Sequence, residues 1–370
     1  MQSFRIGLLL GFRQIQRASI WTTTLIIFVM TLTFLNLIAV SGVLVGLIEG
    51  AERAVKAESL GDLILSEKDG EDHILKTETI ANTLDTFDTV TAYSVRYAAG
   101  GVLEANYQER RDLGAERDIA NVTVTGIDPV AESAMSGLEN NVIEGEYLEP
   151  DDDGFILLGA LYTEEYASNF GDIFETVSGV APGDTVRLTA GDISKEFIVK
   201  GIVQSKVDEV SVNTYIPERE FRRLFGRVDR NADQIVARVT NDTTPDAVKT
   251  SLISSRIDDY AKIQTYEEGK PKFITDIKNT FSILGSFIGS IGIVVASITI
   301  FIIIFINALA RRQQIGILKG IGIERRAIEI AYILQAAFYA LCGSLLGALI
   351  TYGFLIGYFE RNPIQFPFSD

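Results

Sequence analysis

Few residues in this chain are equipped for covalent or metal chemistry. Among 370 residues there is one histidine, His73, and one cysteine, Cys342. An ordinary zinc centre needs three or four His and Cys ligands, so that class is excluded. A single thiol forms no disulfide within the chain. A Ser-His-Asp set would have to use His73, and nothing in the sequence places that histidine beside a nucleophile. The run Asp151-Asp152-Asp153 suggests calcium, but it lacks the spaced ligands and closing Glu of an EF-hand and reads as a solvated turn. Asn121-Val-Thr and Asn241-Asp-Thr are glycosylation sequons, meaningful only in a eukaryotic secretory setting. No GxxxxGK[ST] phosphate loop occurs, so ATP, if it drives this protein, is expected to bind another chain. The expectation is a protein with no catalytic set, no metal and no cofactor.

What remains is a basic segment interleaved with apolar residues, ARRQQIGILKGIGIERRAIE. Ile315, Ile317, Leu318 and Ile321 offer an apolar face that suits a groove on a partner. Arg311, Arg312, Lys319, Arg325 and Arg326 offer a charged rim for an acidic surface or for lipid phosphates. The plainer reading is that these charges only set membrane topology. That reading leaves the interleaved isoleucines unexplained.

The elements that flank this segment are membrane spans. Residues 20–48, 279–310 and 330–359 contain no charged residue. Each run is long enough to cross a hydrocarbon core of about 30 Å at about 1.5 Å per residue. The first run is too long for the apolar core of a signal peptide and no clear cleavage site follows it, so an uncleaved anchor is expected. Positive charge sets the direction. Arg5, Arg13 and Arg17 place residues 1–19 in the cytoplasm, and the basic segment at 310–328 joins them there. Residues 49–278 and the tail 360–370 are then outside. Residues 1–19 also have near-helical spacing of Phe4, Leu8 and Ile15, which fits an interfacial helix; simple anchoring by the arginines fits as well. Gly285 and Gly289, like Gly343 and Gly347, are four apart, the spacing that lets helices pack closely. Asn307 and Gln335 read as interhelical hydrogen-bonding groups.

The outside segment holds most of the acid. Residues 49–280 contain 45 acidic and 24 basic residues, a net of −21 against −16 for the whole chain. Such a surface repels a phosphate backbone, which excludes nucleic acid as a partner. Strand-like runs at 121–127, 155–159, 184–190, 195–203 and 234–240 mix with helical runs at 75–84, 218–225 and 246–258. An α+β domain is expected. The fold class is therefore an α-helical transmembrane bundle with an inserted α+β extracytoplasmic domain.

The order of parts and the segment Arg311-Arg312-Gln-Gln-Ile315-Gly316-Ile317-Leu318-Lys319-Gly320-Ile321-Gly322 closely resemble the MacB/FtsX-like ABC permeases, the type VII class that includes the lipoprotein-releasing LolC/LolE subunits. Their loop runs R-x-x-E-I-G-[LI]-x-[KR]-A-[IL]-G. The chain departs from it at Gln314, where Glu is usual, and at Gly320, where Ala is usual. The segments NVTVTGIDP, VIEGEYL, FILLGALYTEEYA, VAPGDTVRL, FIVKGIV and VNTYIPEREFRRLF look like successive blocks of a MacB-type periplasmic core domain. The resemblance implies four spans where three are seen, and a truncated chain is the expected reason. It implies a coupling helix at 310–328 that docks on a cytoplasmic ABC ATPase subunit. It implies a dimer with a second copy or a paralogue, contact with membrane lipids, and an extracytoplasmic adaptor or cargo protein as a further partner. The implied activity is mechanotransmission for export or extraction of a lipophilic, peptide or lipoprotein cargo. The alternative is an FtsX-like signalling permease that regulates an outside partner such as a cell-wall hydrolase.

Overall fold

The computed structural model describes residues 2–108, 117–168 and 173–362. The expected outer tail from 363 onward lies outside the described residues, as does the side chain of Asn307. In chain order the helices are α1 (Gln2–Gln16), α2 (Ile20–Val55), α3 (Thr77–Leu84), α4 (Pro129–Ser136), α5 (Glu164–Ala167), α6 (Asp208–Ser211) and α7 (Glu218–Leu224). They continue with α8 (Pro245–Ser254), α9 (Tyr266–Gly269), α10 (Lys272–Ala310), α11 (Arg312–Gly320), α12 (Arg325–Ile350) and α13 (Ile356–Arg361). The strands are β1 (Leu63–Ser66), β2 (Val90–Ala105), β3 (Asp118–Ile127), β4 (Val142–Gly145) and β5 (Phe155–Gly159). After them come β6 (Thr185–Ala190), β7 (Ile193–Val203), β8 (Asn213–Pro217), β9 (Gln234–Val239) and β10 (Lys262–Thr265). The chain divides into two compact units, one formed by residues 1–49 with 276–370 and the other by residues 50–275.

Among the described residues, three helices are long and apolar enough to cross a membrane, within Ile20–Leu60, Ile274–Ala310 and Arg325–Phe359. The helices outrun the charge-free stretches: α2 continues through Glu49, Glu52 and Arg53, and α10 begins at Lys272. A helix satisfies its own backbone hydrogen bonds, so nothing obliges it to stop where the hydrocarbon does.

The other unit is built on a continuous ten-stranded network. β2 carries it: its first half pairs with β9 and its second with β3 and β6. From β2 the pairing runs through β3, β8, β5, β7 and β6 and returns to β2, so six strands close on themselves. Val122, Val124, Leu158, Val186, Leu188, Phe197 and Ile216 fill the interior. Alternation explains this, because residues two apart on a strand share a face. Gly126 lets α7 settle on β3: a Cβ there would lie 2.5 Å from Phe221 Cβ. The first half of β2 joins β9, β1 and β10 in the remaining sheet, where Leu63, Leu65, Ile235 and Ala237 pack with Ile80 and Leu84 of α3 and Val248 and Leu252 of α8.

Candidate functional site

The segment between the second and third long helices forms a short helix of its own. Arg311 breaks from α10 with φ −104° and ψ 19°, and α11 follows immediately. Its last turn closes through Ile321 N–H to Ile317 O at 3.0 Å and Gly322 N–H to Lys319 O at 3.0 Å. Gly322 has φ +91°, a conformation that a side chain would strain, and it ends the helix. At 3.6 residues per turn, Ile315, Leu318, Ile317 and Ile321 form one broad arc of α11 and its last turn, with Arg312 and Lys319 on the opposite side. The arc is uneven. Ile315 and Leu318 are half-buried, whereas Ile317 is 62% and Ile321 74% exposed. Gly316 and Gly320 have no heavy atom within 4 Å of where a Cβ would stand. Arg312, Lys319 and Arg326 are exposed; Arg325 is exposed too and donates to Glu329 at 2.8 Å. Among the described residues, no side chain packs where a Cβ on Gly316 or Gly320 would stand.

The small residues of the spans differ among themselves. A Cβ on Gly343 would lie 2.4 Å from Met30 Cβ, and one on Gly347 2.4 Å from Phe34 Cδ1, so α12 and α2 meet at these two positions. Thr31 Oγ1 reinforces the crossing by donating to Gly343 O at 3.2 Å. Gly285 and Gly289 are looser, with Leu44 at 3.4 Å and Leu37 at 3.9 Å. Two further glycines went unnoticed in the sequence. Gly7 and Gly11 of α1 face α12, where a Cβ would come within 2.8 Å of Ile330 and of Leu334 respectively. They too are four apart, so the same spacing rule finds them once residues 1–19 are scanned as a packing helix. Among the described residues Gln335 bonds along its own helix, donating to Tyr339 Oη at 2.7 Å, where its sequence position suggested a bond to another helix.

In the β-rich unit several acidic residues are engaged in ion pairs. Asp151 and Asp153 are solvent-exposed, as a solvated turn requires, but Asp152 between them is not: it accepts from Glu149 N–H at 2.7 Å and pairs with Lys200 at 2.7 Å, with only 10% of its side chain exposed. His73 Nδ1 stands 2.6 Å from Asp233. Among the described residues no group of three His, Cys, Asp or Glu side chains converges as metal ligands would. The most buried pair is Arg96 with Glu132. Asp128 caps α4 by accepting from Val130 and Ala131 N–H at 2.9 and 3.1 Å, which turns Glu132 inward. Glu132 accepts from Arg96 Nε at 2.9 Å and Nη2 at 2.6 Å, and from the Ser94 and Ser136 hydroxyls at 2.7 Å each. Burial alone would raise its pKa, but Arg96 and these four donors outweigh it and hold the carboxyl below the usual glutamate range.

Where the chain enters and leaves this unit, the incoming and outgoing segments are fastened together. Lys270, 9% exposed, reaches Glu52 at 3.0 Å, and Tyr266 Oη donates to Glu52 O at 3.1 Å.

Comparison with known proteins identifies both halves of this architecture. Residues 27–254 match the model of a MacB-like periplasmic core domain, and residues 286–369 match that of the FtsX-like permease C-terminal region. The macrolide export ATP-binding/permease protein MacB of Campylobacter jejuni subsp. jejuni is 23% identical over 269 residues, which is 66% of this chain and 39% of that protein. The ABC transporter permease YtrF of Bacillus subtilis is 26% identical over 183 residues, 44% of this chain and 38% of that protein. The chain thus spans under two-fifths of the length of either relative. Among solved structures, the periplasmic region of MacB from Actinobacillus actinomycetemcomitans aligns with a TM-score of 0.40 at 17% identity, covering 62% of this chain and 95% of that one. With the core-domain model matched over more than half of its length and the permease model over the helices that follow, the chain belongs to the MacB/FtsX-like ABC transporter permeases.

Proposed function

We propose that this chain is the permease subunit of an ABC transporter whose ATPase is a separate cytoplasmic chain, docked on α11. The observation that carries the reading is the outer edge of α11. Ile317 and Ile321 are exposed, Gly316 and Gly320 are open, and the exposed Arg312 and Lys319 stand on the other side of the same helix. A helix presented this way suits a groove with an acidic margin. The segments 1–19 and 310–328 then lie in the cytoplasm and residues 49–278 outside.

ATP-driven closure of two ATPase subunits would tilt the spans of two permease copies, or of this chain and a paralogue, and so move their outside domains. The Glu52–Lys270 fastening fits that role, because it makes the two connecting segments move as one. The cargo is then handled outside the membrane, consistent with the absence of charge from residues 20–48, 279–310 and 330–359. A lipophilic molecule, a peptide or a lipoprotein fits such a route.

An FtsX-like signalling permease acting on an outside partner is the second reading. The family matches fit both readings; the large domain at 50–275 favours transport. Affinity purification from detergent extract, wild type against Lys319→Glu, tests the ATPase claim. Recovery of a P-loop ATPase with the wild type and its loss in the variant is expected. An ATPase recovered equally well with both would remove α11 as the docking site. Capture of a cell-wall hydrolase on residues 50–275 would favour signalling.

A further inference from the structure

A cavity of about 280 Å³ opens on the polar face of the sheet, just under the usual range for small-molecule sites of about 300–1,000 Å³, which suits a ligand of a few heavy atoms. Strand register builds its floor. Ala98, Thr125 and Tyr215 stand side by side across β2, β3 and β8, with Thr123 and Asn213 in the next row. Their neighbours Tyr97, Val124 and Ile216 point to the opposite face and belong to the apolar core. One sheet therefore has an oily face and a face of hydroxyls and an amide. The walls come from α4, α6 and the π-helical turn Lys56–Leu60 that follows α2.

The charges around this cavity are Arg96 on β2, Glu132 on α4, Glu58 on the π-helical turn, Glu209 on α6, and Asp233 just before β9. Three of the four carboxylates are satisfied. Glu132 is held by Arg96 and two serines. Asp233 accepts from Ala98 N–H at 2.7 Å and pairs with Arg227 at 3.3 Å. Glu58 accepts from Ser205 Oγ and from Asn141. Glu209 is the exception: its Oε2 is buried with no hydrogen-bond partner among the described residues. Burial raises the pKa of this carboxyl, against a smaller opposing pull from Arg96 and a hydrogen bond from Ser59. A buried carboxylate oxygen without a donor is costly unless something supplies one.

We propose that this cavity binds a small organic ammonium group, held on the Glu209 carboxylate above the Thr125–Tyr215 floor. An anion is disfavoured because four carboxylates face a single guanidinium, already committed to Glu132. A metal ion is disfavoured because, among the described residues, no three acidic or imidazole groups converge. An ammonium needs only one carboxylate and neutral acceptors for its three N–H donors, which is what the floor offers. The terminal torsion of a glutamate is broad and two-fold, so either oxygen can turn to the ligand. The site stands whether or not an ATPase docks on α11.

The test is calorimetric titration of the full chain in lipid nanodiscs with 3-amino-1-propanol, and with 1,3-propanediol as its uncharged counterpart. Saturable binding of the amine and none of the diol is expected. Glu209→Gln, equal in volume, should weaken amine binding at least tenfold. Wild-type affinity should rise as pH climbs through the raised pKa of Glu209 and its carboxyl ionises, while Glu209→Gln stays flat. Thr125→Val, which removes one floor hydroxyl and no charge, should weaken binding severalfold and covers the case of a Glu209 variant that fails to fold. No amine binding to the wild type, equal binding of the diol, or undiminished binding by both variants would overturn the proposal.

Discussion

Arg96 and Glu132 show what a single buried pair demands. Glu132 is 2% exposed and accepts four hydrogen bonds, so removing its charge would leave Arg96 buried without a counter-ion. Breaking such a pair from one side costs about 3–5 kcal/mol. Glu132→Gln is therefore expected to lower the unfolding temperature of the purified protein clearly, and Arg96→Met with Glu132→Leu to restore much of it. The sign with pH follows from the lowered carboxyl. Its contribution is present above the ordinary glutamate value of about 4.3 and is lost as pH falls through the lower folded value. Unfolding followed from pH 7 to pH 3 should show this acid-side loss in the wild type, and it should vanish in the double variant. Glu209 has the opposite sign. Its raised pKa means stability falls as pH climbs through the folded value, so Glu209→Gln should be no less stable than wild type at neutral pH. None of this was legible in the sequence. Glu132 looks like any acid in a short helix until the Asp128 cap and β2 fix where it points.

Elements were far more legible than contacts. The alternation in 121–127 and the apolar run in 155–159 announce β3 and β5, and both stand at those positions. β2 was missed, although it joins the two halves of the network. Ala98, Ala99, Gly100 and Gly101 interrupt its pattern, and the face it turns to α4 carries the polar Ser94 and Arg96. Pairing with β3, β6 and β9 overrides that weak local preference. Among the helices, glycine spacing signalled close approach but not which pairs are tight. Gly343→Ala and Gly347→Ala each force a Cβ to within 2.4 Å of α2, so each should lower thermal stability by about 1–3 kcal/mol, the usual cost of overpacking. Gly289→Ala, with its nearest neighbour at 3.9 Å, and Gly316→Ala, with none within 4 Å, should leave the unfolding temperature within error. A scan of these four variants by thermal unfolding in detergent would separate packing glycines from open ones.

For the whole molecule, the decisive question is whether α11 transmits force. The pattern of span, outside domain, span, basic segment, span was readable from charge and hydropathy alone, because a bilayer admits so few alternatives. The partner was not, because an exposed helix edge records only that something is missing. If the account is right, loosening the Glu52–Lys270 fastening should uncouple the parts. Lys270→Met should retain ATPase binding yet lose at least half of the transport-linked ATP hydrolysis. Retained hydrolysis with full transport would assign the pair a purely structural role. The most direct test of the central claim is site-specific photo-crosslinking in intact membranes, with the reactive side chain at Ile317 and, as control, at Ile283 on α10, both highly exposed. A P-loop ATPase linked at Ile317 and absent at Ile283 is the predicted result. Lipid alone at both positions, with an active and properly inserted protein, would contradict it.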